Sequence, residues 1–331
     1  LANRLFEQLL GDAKIEIQKL EHLYYVPSGP LESLPISLLV SEPTAENFER
    51  NGVVAYSDVK WLAKSLRITR LPSLLALHPS VGSEQMTEVN YTSFTGFGDP
   101  ALAGRPGILR GLEVVDVYEG AKADLGKLRA LPELPETAEE LRQIASHLGA
   151  PPESVFLREK ATESEVKTAN LSKSRVLAFA THGLISGELS GLAEPALVMT
   201  PPDKATEFDD GLLTASEVAQ LDLNADIVLL SACNTGAGKE LGATGLSGLA
   251  RSFIYAGARS LLVTHWSVDS KATTKLTTGM FEAMASDPSI GRAEALRQSM
   301  LNMMNDAENP HYAHPAFWAP FSLIGDGQTA N

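Results

Sequence analysis

The sequence predicts an α/β protein built on a mostly parallel sheet with helices on both faces. Three observations carry this. From Tyr91 onward, strand-like and helix-like segments alternate, the order that builds a doubly wound parallel sheet. Two runs, 176–181 and 227–232, are apolar without alternation, as strands covered on both faces are. Three helix starts carry the Ser/Thr-x-x-Glu pattern that satisfies the free N–H groups of a first turn: Thr137 to Glu140, Thr162 to Glu165 and Thr214 to Glu217.

In chain order, "LANRLFEQLLGDAKIEIQKL" reads as an amphipathic helix charged throughout, unlike a secretion signal. It begins in mid-helix without Met, as a fragment of a longer protein does. "HLYYVPSGP" reads as a strand to Val26 followed by a turn. "GVVAYSDVKWLAKSL" reads as a short strand leading into a helix. The polar stretch 78–90 marks a soft boundary, giving an N-terminal part (1–90) and a larger C-terminal part (91–331). Strands are expected at 92–97, 154–157, 176–181, 227–232, 260–264 and 321–324. Further helices are expected near 245–256, 271–285 and 292–305. The Pro-, Gly- and Leu-rich segment 101–136 reads as an insertion over the sheet edge.

The 331 residues are 44 % hydrophobic and 21 % charged, enough for a sizeable core. Lys and Arg total 27 against 41 Asp and Glu, a net charge of −14. Nucleic acid is thereby disfavoured as the main partner, since phosphate binding needs a basic field. An anionic membrane surface is disfavoured too, and no apolar stretch is long enough to span a bilayer. The single cysteine, Cys233, cannot form an internal disulfide, which fits a reducing, cytoplasmic setting.

Ligands of an open α/β sheet sit beyond the carboxyl ends of its strands. Two residues with chemistry stand there. "RVLAFATHGLISG" ends its strand in His182 followed by Gly183. "DIVLLSACNTGAG" ends its strand in Cys233. They lie 51 residues apart, with one crossover helix between, a spacing suited to adjacent parallel strands. A thiol beside an imidazole can act as a nucleophile, and the amides of Gly183 and Cys233 are candidate donors to an oxyanion. Each residue alone also reads as ordinary core, and composition and spacing leave both readings open. "CNTGAGKE" does not match a phosphate loop, because Cys233 and Glu240 occupy the positions of the required Gly and Ser/Thr.

The ordered blocks "VPSGPLESLPISLL", "TGFGDPAL", "LPETAEEL", "AFATHGLISG", "DGLLTASEVAQLDLNADIVLLSACNTGAG", "GLSGLARSFIYAGARSLLVTHWSVDS" and "HPAFWAPFSLIGDG" resemble the CHAT-domain family of caspase-like cysteine peptidases, related to caspases and separases. The resemblance implies a caspase-like three-layer α/β/α sandwich. Residues 1–90 correspond to a degenerate caspase-like half and 91–331 to the active half. It assigns the catalytic His-Gly to His182–Gly183 and the catalytic cysteine to Cys233. Ser231 stands where caspases carry Gln, which argues against assuming their preference for Asp.

Specificity is expected from the loops. Asp269, in "VTHWSVDS", is similar in placement to an acidic pocket residue of separases, and would pair with a basic substrate side chain. It reads equally as the cap of the helix that follows. Trp266 is a candidate pocket wall or core residue. His265 stands on the same rim and would compete with His182 as the base if the strand order differed from the expected one, but the His-Gly pair and the family blocks favour His182. Asp99 is expected to anchor rim loops. Glu188, Asp209 and Asp210 read as a solvated loop or an acidic subsite. The expected function is a cysteine endopeptidase that needs no cofactor, acts on a protein or peptide substrate after a basic residue, and is gated by a partner or an upstream helical-repeat region. The contrasting readings are a catalytically silent interaction scaffold and a thiol hydrolase acting on small acyl groups.

Overall fold

A computed structural model describes residues 1–43, 49–50, 53–73, 76, 94–105, 118–119, 122–184, 194–231 and 248–327. Its centre is an eight-stranded sheet. The strands are β1 (His22–Tyr25), β2 (Arg67–Arg70), β3 (Phe94–Pro100), β4 (Val155–Arg158), β5 (Val176–Ala180), β6 (Ile227–Leu230), β7 (Ser260–Thr264) and β8 (Phe321–Gly325), in the spatial order β1-β2-β8-β7-β6-β5-β3-β4. All neighbours run parallel except β7 and β8. The six strands expected after Tyr91 are all present. β1 and β2, from the N-terminal part, extend the same sheet, β2 pairing with β8 through Arg70 and Ile324.

The uninterrupted apolar runs of β5 and β6 are explained by two cores. Val176, Ala178, Ala180, Ile227 and Leu229 face one, with Leu177, Phe179, Val228 and Leu230 facing the other. The first core is closed by helices α1 (Pro135–His147), α2 (Ser270–Ser286) and α3 (Arg292–Met304), through side chains such as Ile144, Leu276 and Met300. The second is closed by shorter helices carrying Val166, Val218 and Phe253. This is a three-layer α/β/α sandwich. In the second core Phe97 stacks on Phe156 and Phe179 at ring-centroid distances of 4.8 and 5.5 Å.

Two of the three expected caps are as read. Thr162 accepts from the Glu165 N–H, and Thr214 with Glu217 forms a complete capping box. Thr137 does not start its helix. Pro135 occupies the first helical position, where its fixed φ and missing N–H are favourable, so α1 begins two residues earlier. The Thr137 hydroxyl donates to Leu134 O and accepts from the Asp99 N–H instead. The N-terminal amphipathic run is broken at Gly11–Ala13 into two short α-helices. In the 101–136 segment Glu133 meets Arg158 of the edge strand β4, and Leu102, Ala123, Leu128 and Leu131 pack on a small antiparallel sheet. That sheet pairs Gly183–Leu184, Ala196–Val198 and Leu212–Thr214. No helix among the described residues is long and apolar enough to cross a membrane.

Candidate active site

β5 and β6 are hydrogen-bonded neighbours, with Leu230 paired to Phe179. His182 stands three residues beyond Phe179, past the carboxyl end of β5, and in the sequence Cys233 follows Leu230 of β6 by the same three positions. Cys233 itself lies outside the described residues, as do Glu188 and the loop that follows the cysteine. The approach to it is anchored. The Ser231 N–H donates to Phe179 O at 2.8 Å, and the Ser231 hydroxyl donates to Glu140 at 3.0 Å. Glu140 is wholly buried on α1 and also accepts from the Thr277 hydroxyl of α2 at 2.8 Å. A buried carboxylate is costly unless hydrogen-bonded; Ser231 ties this one to the end of β6 and Thr277 ties it to α2.

His182 is 1 % exposed, and its Nε2 lies 2.8 Å from the carbonyl oxygen of Pro132. A carbonyl only accepts, so Nε2 carries the proton and donates it. In the neutral ring Nδ1 is then the basic nitrogen. The Pro132 carbonyl is held by close backbone packing. Ala103 N–H donates to Arg129 O, Gly104 N–H to Leu131 O, and Glu133 N–H to Gly104 O. A side chain at Gly104 would place its Cβ 2.4 Å from Ala130 O and 2.6 Å from Leu131 O, so only glycine allows this approach.

Gly183 pairs with Leu197, and the adjacent bond runs from the Val198 N–H to His182 O. In an antiparallel ladder this makes Gly183–Leu197 a non-hydrogen-bonded pair. The Gly183 N–H therefore points away from that strand and takes no part in the ladder.

His265 follows the last residue of β7, on the other side of β6. Its Nε2 meets the Ser322 hydroxyl of β8 at 2.9 Å, directed away from β6. Burial, with a smaller contribution from Arg70, lowers its pKa to about 3. Such an imidazole is a weak base near neutrality, and its Nε2 is turned toward β8 rather than β6.

Asp269 accepts from the Ala272 N–H at 2.9 Å and caps α2. Trp266 is half-buried against the first core, its Nε1 donating to Ala316 O at 3.4 Å. Asp209 accepts from both the N–H and the hydroxyl of Ser164, while Asp210 accepts from the Leu212 N–H, so both brace their loop. Lys167 bridges Glu163 and Glu217 beneath it, and burial pushes Glu163 up to about 7. Asp99 does anchor the rim: its carboxylate accepts from Arg158 at 3.1 Å. Among the described residues no cluster of His, Cys, Asp or Glu is suited to hold a metal.

Sequence reading did not single out Pro132, Gly104 or Arg158. A backbone carbonyl has no sequence signature, and Glu140 drew notice only as the Glu of a capping pattern.

A family model described as the CHAT domain matches residues 1–326. Among curated proteins the chain is similar to tetratricopeptide repeat protein 28 of Mus musculus, with 27 % identity over 236 residues, covering 60 % of this chain and 9 % of that protein. The protein of that name from Homo sapiens is 26 % identical over 227 residues, with the same coverage of 60 % and 9 %. The chain spans only a small part of the length of these relatives. Among solved structures it resembles the Arg-specific cysteine proteinase gingipain R, with a TM-score of 0.51 and 12 % identity, covering 97 % of this chain and 67 % of that one. It also resembles the complex of pro- and mature domains of Porphyromonas gingivalis RgpB, with a TM-score of 0.52 and 9 % identity, covering 100 % of this chain and 72 % of that one. At these identities the structural likeness speaks to the fold alone, and that fold is caspase-like. With the family match running over almost its whole length, the chain belongs to the CHAT domain family.

Proposed function

We propose that this chain is a cysteine-type endopeptidase domain with His182 and Cys233 as its dyad. The observation that carries the reading is the pairing of β5 with β6, which gives His182 and Cys233 equal offsets from Phe179 and Leu230. The Pro132 carbonyl supports it, since it leaves Nδ1 of His182 as the base. In the proposed mechanism Nδ1 takes the Cys233 thiol proton, and the thiolate attacks the scissile carbonyl carbon. The Gly183 and Cys233 amides donate to the oxyanion. The tetrahedral adduct collapses as the C–N bond breaks, and the imidazolium gives its proton to the leaving amine. Water then hydrolyses the thioester, with the same imidazole as base. Apart from that water, the chain's own groups supply the chemistry of this proposal, which calls on no cofactor.

We read the substrate as a protein or peptide cleaved after a basic residue. Asp269 is half-buried beyond the carboxyl end of β7, next to β6, and one of its oxygens is engaged as the helix cap. The other is the proposed partner for an Arg or Lys side chain, with Trp266 as an apolar wall. Residues 1–90 are read as a degenerate half whose β1 and β2 flank the active half, 91–331. The similarity to a tetratricopeptide repeat protein supports an attached helical-repeat region or activating partner as the gate, in a cytoplasmic setting.

The test is digestion of a diverse peptide library, read by mass spectrometry, with this chain beside Cys233→Ala and His182→Ala. Cleavage that vanishes in both variants is expected. Cleavage that persists in Cys233→Ala would remove the dyad. No cleavage by any of the three would favour a silent interaction scaffold.

A further inference from the structure

The carboxyl ends of β3 and β4, beside the Pro132 loop, carry a feature that the proposed chemistry does not use. Asp99 and Arg158 both have positive φ, +43° and +53°, and among the described residues no other non-glycine residue does. Side chains rarely adopt this conformation, and such strain persists only where surrounding structure enforces it. Here the pairing of β3 with β4 shifts register between Gly98 and Pro100. Thr200 seals the irregularity: its hydroxyl accepts from the Ala101 N–H and donates to Arg158 O.

The result is a directed side chain. Arg158 reaches the nearly buried Asp99 carboxylate with one nitrogen, at 3.1 Å, and Glu133 with the other, at 3.3 Å. Glu133 is the residue after Pro132, whose carbonyl receives the His182 Nε2–H. Asp99 is in turn held by its own N–H on the Thr137 hydroxyl at the start of α1. A continuous chain of contacts therefore runs from the sheet and α1, through Asp99, Arg158 and Glu133, to the carbonyl that sets the tautomer of His182. Only an Arg can span both carboxylates with a rigid fork, because a Lys ammonium is a single point of charge.

We propose that Arg158 is a positioning residue that, through Glu133, holds the Pro132 carbonyl against Nε2 of His182 and so keeps the basic lone pair on Nδ1. This deepens the peptidase reading, but the tautomer claim stands on geometry that is independent of turnover.

The experiment is long-range ¹H–¹⁵N spectroscopy of the ¹⁵N-histidine-labelled chain at a pH where His182 is neutral, with its signals identified by their loss in His182→Asn. Wild type is expected to show Nε2 protonated and Nδ1 unprotonated. Arg158→Gln is expected to show a new Nδ1–H population, and Arg158→Lys a smaller one, with the thermal transition confirming that each variant is folded. If Arg158→Gln fails to fold, Glu133→Ala decides, since it removes only the outer contact and is expected to shift the tautomer in the same direction, and the unchanged-signal outcome below is then read in that variant. An unchanged Nε2–H signal in a folded Arg158→Gln or Glu133→Ala, or a wild type already protonated on Nδ1, would overturn the proposal. Peptide cleavage by the wild type is scored separately. A tautomer shift without any cleavage keeps the clamp and removes the peptidase, whereas cleavage without a shift does the reverse.

Discussion

Two histidines stand just past the two strands that flank β6, and their surroundings differ in one decisive respect. Both are almost fully buried, and both bind a neighbour through Nε2. His182 meets a backbone carbonyl, which can only accept, so its proton is assigned to Nε2. His265 meets a hydroxyl, which can donate or accept, and stands near the Arg70 guanidinium. The first arrangement fixes the tautomer of a ring that is the proposed base. The second suppresses one, because burial and a nearby cation both oppose the imidazolium. Position on a sheet rim does not make a histidine usable; the partner of its other nitrogen and the charges around it do.

The largest effect should come from setting the two histidines against each other. His182→Ala is expected to lower kcat by about 10²- to 10⁴-fold, the range of a lost general base. His265→Gln is expected to leave kcat within about threefold and to act on stability, because a neutral buried side chain off the reaction path contributes through packing and hydrogen bonds. Comparable losses of turnover in the two variants would erase the distinction drawn between them.

The anchor of the β6 end comes next. Glu140→Gln keeps the shape of the side chain but removes the charge that the Ser231 and Thr277 hydroxyls donate to. A loss of about 1–3 kcal/mol is expected from denaturant unfolding, the range for hydrogen bonds to a buried charged group. A variant as stable as wild type would show that the carboxylate is not what ties α1 and α2 to β6.

The third prediction concerns pH and compares His265 with the acidic cluster beyond β5. His265 is held at about 3 against an ordinary value of 6.5. The unfolded chain therefore binds its proton first, and this site loses stability as pH falls from about 6.5 toward 3. Glu163, raised to about 7 from 4.5 by burial and then by Glu217, behaves oppositely. The folded state keeps that proton longer, so stability at this site is lost as pH rises from 4.5 to 7. His22, lowered to about 4 by burial and then Arg67, has the sign of His265. Melting curves across pH for His265→Gln and Glu163→Gln should flatten the acid limb and the neutral limb respectively. Profiles parallel to wild type would refute both assignments.

The smallest stability effect separates the two readings of Asp269. Asp269→Asn retains a good helix cap, so stability should change by less than about 0.5 kcal/mol, while the charge is gone. If Asp269 lines a basic-residue pocket, kcat/KM for such substrates should fall at least about tenfold, as loss of a charge-assisted pair implies. Unchanged turnover of these substrates would leave the residue only its role as a cap.

Much of the fold was legible because it is written in local pattern. The doubly apolar runs at β5 and β6 announced two covered faces. Thr162 and Thr214 announced helix starts, while Thr137 misled because Pro135 is the stronger start signal. β2 escaped notice, since Arg-Ile-Thr-Arg has no apolar run. Its Thr69 and Arg70 are buried by distant partners, Arg70 against Glu32. The candidate site was legible as residue types at strand ends, His182 above all, and as family blocks. Pro132 was not, because its contribution is a main-chain oxygen that any residue could supply.

The sequence by itself determined the alternation of strands and helices, the burial of the central strands, the family, and the identity of the two proposed reacting residues. These depend on composition over short windows, where hydrophobic periodicity and capping chemistry act. Only the tertiary structure decided that β5 lies beside β6, that Nε2 of His182 faces Pro132, that His265 is turned toward β8, and that Arg158 joins Asp99 to Glu133. Each of these contacts joins residues 25 or more positions apart. Local pattern carries no information about such pairings, because they are settled by how two packed cores and a shared sheet register bring distant segments together.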